Sequence, residues 1–168
     1  MATKKSMWIF FGILVISACV LGSAIQAGAE TMKYKLYSYV VKDERVSIPD
    51  AEGHTVSLGV RKSFFVFENG EIATANQVAT LDQIKRSGPV LVYTTLTFSD
   101  GSIIIFKEQG TIGVTAGGVT GEIVKGTGRF EGAKGTRTVK AKYLPVEKDE
   151  LGPKGLGEGT ITYTLLSK

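Results

Sequence analysis

Short stretches rich in β-branched and aromatic residues, separated by turn formers and lacking any sustained helical period, confine this chain to an all-β fold. MKYKLYSYVV (32–41), HTVSLGV (54–60), RKSFFVF (61–67), VLVYTTLTF (90–98), SIIIFKEQG (102–110), RTVKAKYL (137–144) and TITYTLL (160–166) each read as a strand. Pro49-Asp50, Glu68-Asn69-Gly70, Ser99-Asp100-Gly101 and Gly117-Gly118 read as turns between them, and residues 98–102 as the clearest hairpin. Residues 72–86 allow either a short helix or a strand and loop, and the Gly/Lys-rich 147–159 reads as a long surface loop. Short strands at this spacing, with no repeat of fixed length, suggest one barrel or sandwich.

The N-terminus is of another kind. Lys4 and Lys5 precede an uncharged apolar run over 7–21, and Ala27-Gly28-Ala29 supplies small residues at a cleavage site before Glu30. That is the layout of a secretory signal peptide over 1–29, leaving a single domain over 30–168 and an exported, periplasmic or secreted protein. A retained anchor competes with this reading, because 7–25 carries no charge and about 18 apolar residues can span a bilayer. The single cysteine, Cys19, follows Ile16-Ser17-Ala18, which resembles a bacterial lipobox and would make Cys19 the lipidated first residue of a membrane-attached lipoprotein. Otherwise it goes with the leader, and the mature chain has no thiol for a disulfide or for nucleophilic chemistry.

Charge narrows the partners further. Of the net +4 charge, two units belong to Lys4 and Lys5, and nothing in the remainder interleaves Lys and Arg with aromatics as nucleic-acid binders do. The positive charges between Lys125 and Lys142, Arg137 among them, read as a solvated face. His54, the single histidine, follows Asp50-Ala51-Glu52-Gly53 and reads as a solvated turn residue. Alone it builds neither a metal site nor a Ser-His-Asp triad, so no metal and no cofactor is expected.

The stretch KGTGRFEGAKG (125–135) sets four glycines and a phenylalanine at fixed offsets between two strand-like runs. A phosphate-binding loop leaves a strand and opens a helix, whereas this one lies between strand-like residues on both sides and lacks Gly-Lys-Ser/Thr. Glycines in strand territory mark bulges, corners and close backbone approach, which leaves Phe130 as an apolar plug between bends. With Gly126, Gly128, Phe130, Gly132, Ala133 and Gly135 in place, and Tyr143-Leu144-Pro145 after the next strand, the segment resembles the G-x-G-x-F-x-x-A-x-G signature of the allene oxide cyclase and dirigent superfamily. Similarity runs over about 98–145. It implies a single antiparallel eight-stranded β-barrel of allene oxide cyclase/dirigent-like type, with a narrow apolar lumen, often assembled as a trimer.

The cyclases in this superfamily place a glutamate and, two residues on, an asparagine on the first strand, pointing inward. Here those positions fall on Ser38 and Val40, and residues 32–42 contain no Asp, Glu, Asn or Gln. The acid that dirigents carry on their early strands has no counterpart either. With Ser38 inward, period-two alternation turns Tyr34, Leu36 and Val40 inward too, and sends Tyr37 and Tyr39 to an outer face suited to a subunit contact.

The remaining polar candidates are Glu108, which shares a face with Phe106, and Arg137. Either both lie at strand ends within reach of water, or both face inward and neutralise each other. Two function classes follow. One is an exported barrel binding a small hydrophobic molecule against Tyr34, Leu36, Ser38, Val40, Phe106, Glu108 and Arg137. The other is a cyclase or isomerase-type enzyme, or a dirigent-like protein steering ring closure or coupling of a lipophilic substrate, with Glu108 as the candidate catalytic residue. The discriminating feature is whether Glu108 lies inside the barrel beside a cavity.

Overall fold

A computed structural model describes residues 28–165. Cys19 and the expected leader up to residue 27 lie outside them.

Eight antiparallel strands close into a barrel in sequential order: β1 (Glu30–Ser47), β2 (His54–Phe67), β3 (Ile72–Ile84), β4 (Gly88–Phe98), β5 (Ile103–Ile112), β6 (Ala116–Thr127), β7 (Lys134–Tyr143) and β8 (Gly155–Thr164). β8 pairs back onto β1 from Glu30 opposite Tyr163 to Ser38 opposite Gly155, so no edge is left open to another chain. The barrel expected from the glycine motif is therefore present.

Several elements differ from the sequence expectation. Residues 54–67 form one 14-residue strand rather than two. Residues 72–84 are strand, because Ala73, Ala75, Ala79, Leu81 and Gln83 turn inward with period two while Thr74, Asn76 and Val78 face out. Gly117 and Gly118 lie within β6 and make no turn, since they themselves pair with Ile112 and Thr111 of β5. The 147–159 loop ends early, at Gly155, where β8 begins.

The barrel is filled at one end and hollow at the other. At the filled end the rings of Tyr34, Phe65, Phe67, Phe98, Phe130 and Tyr163 run in sequence, with neighbouring centroids 4.7–6.5 Å apart. The glycine motif builds this plug. β6 ends in one turn of 3-10 helix, Gly128–Phe130, that carries Phe130 inward to full burial. Gly128 and Gly132 hold φ of +60° and +76°, the left-handed region that glycine enters without a Cβ penalty. At Gly126 a Cβ would collide with the Phe130 carbonyl, and at Gly135 with that of Thr162. Outside, the Arg129 guanidinium lies 4.7 Å from the Phe98 ring centre and 4.8 Å from that of Phe130, and pairs with Glu71 at 2.5 Å.

Candidate functional site

At the hollow end the inward faces of the strands enclose a cavity of about 160 Å³. Its wall is mostly apolar, formed by Leu36, Ala79, Val90, Val92, Val119 and Val139 with Leu81, Ile112 and Ala141. Polar groups enter it as Ser38, Ser57, Gln77, Gln83 and Tyr143. The connections after β3, β5 and β7 form the rim through Arg86, Val114, Leu151, Gly152 and Pro153.

A β-bulge between Val40 and Lys42 shifts the register of β1 against β2. The extra residue reverses which side chains face inward, so Asp43 and Arg45 turn toward the mouth and pair with each other at 2.8 Å. Strict alternation along β1 could not anticipate this. Asp43 thus places an acid on the first strand at the rim, one residue past the window that held none.

Beneath the cavity lies a buried ion pair. Glu108 and Arg137 are each 1 % exposed, which overturns the reading that they sit at strand ends in water and takes Arg137 out of the solvated basic face. Their strands, β5 and β7, both flank β6, where Glu108 and Arg137 each pair with Gly121. Arg137 Nη1 donates to both Glu108 carboxylate oxygens at 2.7 Å, and Thr94 donates its hydroxyl proton to Oε2 at 2.5 Å. Arg137 Nε donates to the Tyr34 hydroxyl at 2.8 Å, which in turn donates to the Thr138 carbonyl at 3.1 Å. Burial pushes the Tyr34 phenol above its ordinary range, and the neighbouring guanidinium only partly offsets that. Arg137 Nη2 has no acceptor among the described residues. Instead the guanidinium is surrounded by the rings of Tyr34, Phe65 and Phe106, 5.1–5.5 Å away, whose negative faces attract it.

The expected lining residues therefore divide. Leu36, Ser38 and Val40 face the cavity. Tyr34, Phe106, Glu108 and Arg137 do not line it, because the ion pair and its aromatic shell fill the barrel's waist. Gln77 links the two levels: it lines the cavity, accepts from Ser63 at 3.0 Å and donates to Thr94 at 3.5 Å. Both Glu108 oxygens are held by Arg137, so its charge shapes the floor while its oxygens are withheld from a guest. For Glu108 to act as a base, this pair would have to open.

Sequence patterning alone does not single out Arg61. It falls on the inward parity of β2 with Ser63, Phe65 and Phe67, a signal lost when 54–67 is divided in two. Its Nη2 donates to the Pro153 carbonyl at 2.7 Å and the Ser38 hydroxyl at 3.3 Å, and its guanidinium lies 5.8 Å from the centre of the Tyr143 ring. Burial lowers the Arg61 pKa and raises that of Tyr143.

His54 is not a solvated turn residue. It opens β2 with its side chain 14 % exposed, Nδ1 lying 2.5 Å from Asp50 and Nε2 2.8 Å from Asp82, and the protonated ring donates to both carboxylates. These hydrogen bonds raise its pKa and, through the same contact, lower that of Asp50.

No protein-family model matches the chain, and no curated protein matches it. Solved structures do. The pterocarpan synthase dirigent protein GePTS1 superposes with a TM-score of 0.53 at 18 % identity, over 98 % of this chain and 100 % of its own. The pterocarpan synthase dirigent protein PsPTS1 gives 0.51 at 16 % identity, over 84 % of this chain and 97 % of its own. A Shewanella oneidensis protein of the DUF3224 family gives 0.51 at 13 % identity, over 84 % of this chain and 98 % of its own. At these identities the likeness is one of fold, and it points to dirigent-like barrels rather than to the cyclases in particular. The chain shares the closed barrel fold of these dirigent proteins.

Proposed function

We propose that this chain is an exported barrel that holds a small hydrophobic molecule in the open half of its lumen, without the chemistry of the plant cyclases. The observation that carries this reading is the cavity itself, an apolar wall over a closed floor with both oxygens of its one buried carboxylate engaged. Its volume of about 160 Å³ corresponds to roughly five waters, and dry apolar cavities of about 150 Å³ accept a benzene-sized guest. The leader, whether cut before Glu30 or before a lipidated Cys19, would deliver the barrel outside the cytoplasm.

A second reading has its own support. Glu108 sits directly under the cavity and connects to its wall through Thr94 and Gln77. The shared fold includes two barrels named as pterocarpan synthases. In an enzyme of that kind the cavity would hold a lipophilic substrate in a reactive conformation, and positioning alone accelerates ring closure.

Self-association is proposed for the outer face, where Leu156, Tyr37, Phe64 and Thr74 lie side by side across β8, β1, β2 and β3. Leu156 is 50 % and Phe64 47 % exposed, an apolar row suited to a second copy. A wild-type protein that sediments as a monomer would remove that contact.

Binding is tested by methyl NMR with the neutral probe 3-phenylpropan-1-ol. Saturable shifts confined to Leu36, Val92, Val119 and Val139, abolished by Leu36→Lys, are expected. Lysine would occupy the space and bring an unpaired charge into it. A wild-type spectrum unmoved by the probe would refute the container.

A further inference from the structure

We infer that the guest of this lumen is an amphipathic carboxylate: an apolar body about the size of one aromatic ring, with its charge received by Arg61 at the neck of the cavity. The inference rests on the container reading above and adds the guest's chemical class.

Three arginines line this cavity, Arg45, Arg61 and Arg86, against one carboxylate, Asp43, which Arg45 already holds. The lining therefore carries uncompensated positive charge over an apolar wall. Arg61 is the deeper of the two remaining cations and is half-buried. Only its Nη2 is engaged, by a carbonyl and a hydroxyl, while Nε and Nη1 find no acceptor among the described residues. The free donors of this half-buried guanidinium stay accessible, and an anion arriving there would take them up in charge-assisted hydrogen bonds. The Tyr143 hydroxyl, lining the same cavity beneath the Arg61 guanidinium, likewise makes no hydrogen bond among the described residues. Arg61 and Tyr143 thus offer unspent donors where the apolar wall meets the rim.

Arg86 supports the same polarity from above. It sits in the turn between β3 and β4, where Lys85 and Arg86 hold φ of +50° and +67°. Glycine or asparagine fits such a turn with less strain. Here an arginine with no ion-pair partner among the described residues stands at the mouth instead. Arg86 thus adds unpaired positive charge at the point where an anion would enter.

The test uses two probes of equal body, 3-phenylpropanoate and 3-phenylpropan-1-ol, titrated calorimetrically into the full domain at low salt. A charged hydrogen bond of ordinary strength predicts that the carboxylate binds about 10- to 100-fold more tightly than the alcohol. Arg61→Gln should erase that preference and leave alcohol affinity within about 3-fold, and Arg86→Gln should narrow it. Alcohol binding as tightly as carboxylate in the wild type overturns the inference and leaves the container standing. A folded Arg61→Gln variant that keeps the preference overturns it equally. If neither probe binds, the container reading fails and takes the inference with it. The wild-type pair decides the matter even if Arg61→Gln does not fold.

Discussion

Replacing Glu108 by Gln should destabilise the barrel by about 3–5 kcal/mol, because it strands the Arg137 charge in a fully enclosed site. Neither side chain has any exposed surface, so no water can take over the lost interaction. Two unit charges about 4 Å apart at an effective dielectric near 20 attract by about 4 kcal/mol, and desolvating each ion costs several. That attraction alone does not repay both desolvations, and the hydrogen bonds from Thr94 and to Tyr34 make up part of the difference, so the intact pair adds little net stability while either half alone is strongly unfavourable. It follows that Glu108→Leu combined with Arg137→Met should cost far less than the sum of the single changes, within about 2 kcal/mol of wild type. Tyr34 keeps its bond to the Thr138 carbonyl in the double variant, and Thr94 keeps the long contact from Gln77, which limits the polar groups orphaned. Urea denaturation of the wild type, Glu108→Leu, Arg137→Met and the double variant closes the cycle, and single changes of about 3–5 kcal/mol each against a double change of at most about 2 kcal/mol give a coupling of about 4 kcal/mol or more. Single changes costing under about 1 kcal/mol, or a double change equal to their sum, would refute the buried pair.

Two further outcomes are expected. His54 has a raised folded pKa, so the stability it contributes is complete below its unfolded value of about 6.5 and is lost as pH rises through the folded value. Asp50 has a lowered one, so its contribution is present above about 3.9 and is lost as pH falls through the folded value. Thermal melts should thus decline on the alkaline side in wild type and lose that decline in His54→Asn; equal slopes would dismiss a stabilising role for the Asp50–His54–Asp82 contacts. Among the motif glycines, Gly126→Ala should cost about 1–3 kcal/mol through its collision with the Phe130 carbonyl. Gly132→Ala meets open space and should cost only about 1–2 kcal/mol from its backbone angle, with Gly132→Asn milder still. Denaturant midpoints check the order, and equal tolerance of all three would make the stretch an ordinary loop.

The filled end was legible because its signals are local. Glycines at fixed offsets around Phe130, and an Asp-Gly turn at the 98–102 hairpin, specify corners through backbone angles that few other residues adopt. The hollow end was less so, because its key facts are relations between distant strands. Glu108 and Arg137 are 29 residues apart, and only barrel closure makes burial of both tolerable. The bulge that turns Asp43 inward is a mismatch between β1 and β2, and residues 40–42 alone carry no mark of it. Arg61 was hidden by an apparent strand boundary, since a charge in a β-branched run reads as an end when it can equally be an inward cation.

One relation was written in the sequence in a form that only the register reveals. The polar and bulky inward residues of the waist and neck stand opposite glycines. Glu108 pairs with Gly121, Tyr34 with Gly159, Leu36 with Gly157 and Ser38 with Gly155. A Cβ at Gly121 would lie 2.6 Å from Glu108 Cγ, one at Gly159 2.8 Å from the Tyr34 ring, and one at Gly155 2.7 Å from the Ser38 hydroxyl. A narrow eight-stranded barrel is ordinarily filled by its own side chains. Here the glycines of β6 and β8 give up that volume. Below, the ion pair and the Tyr34 ring take it; above, part of it stays empty as the cavity. The glycine content of these two strands, which weakens them as isolated β segments, is thus the feature that lets one small barrel carry a charged floor and a vacant neck together.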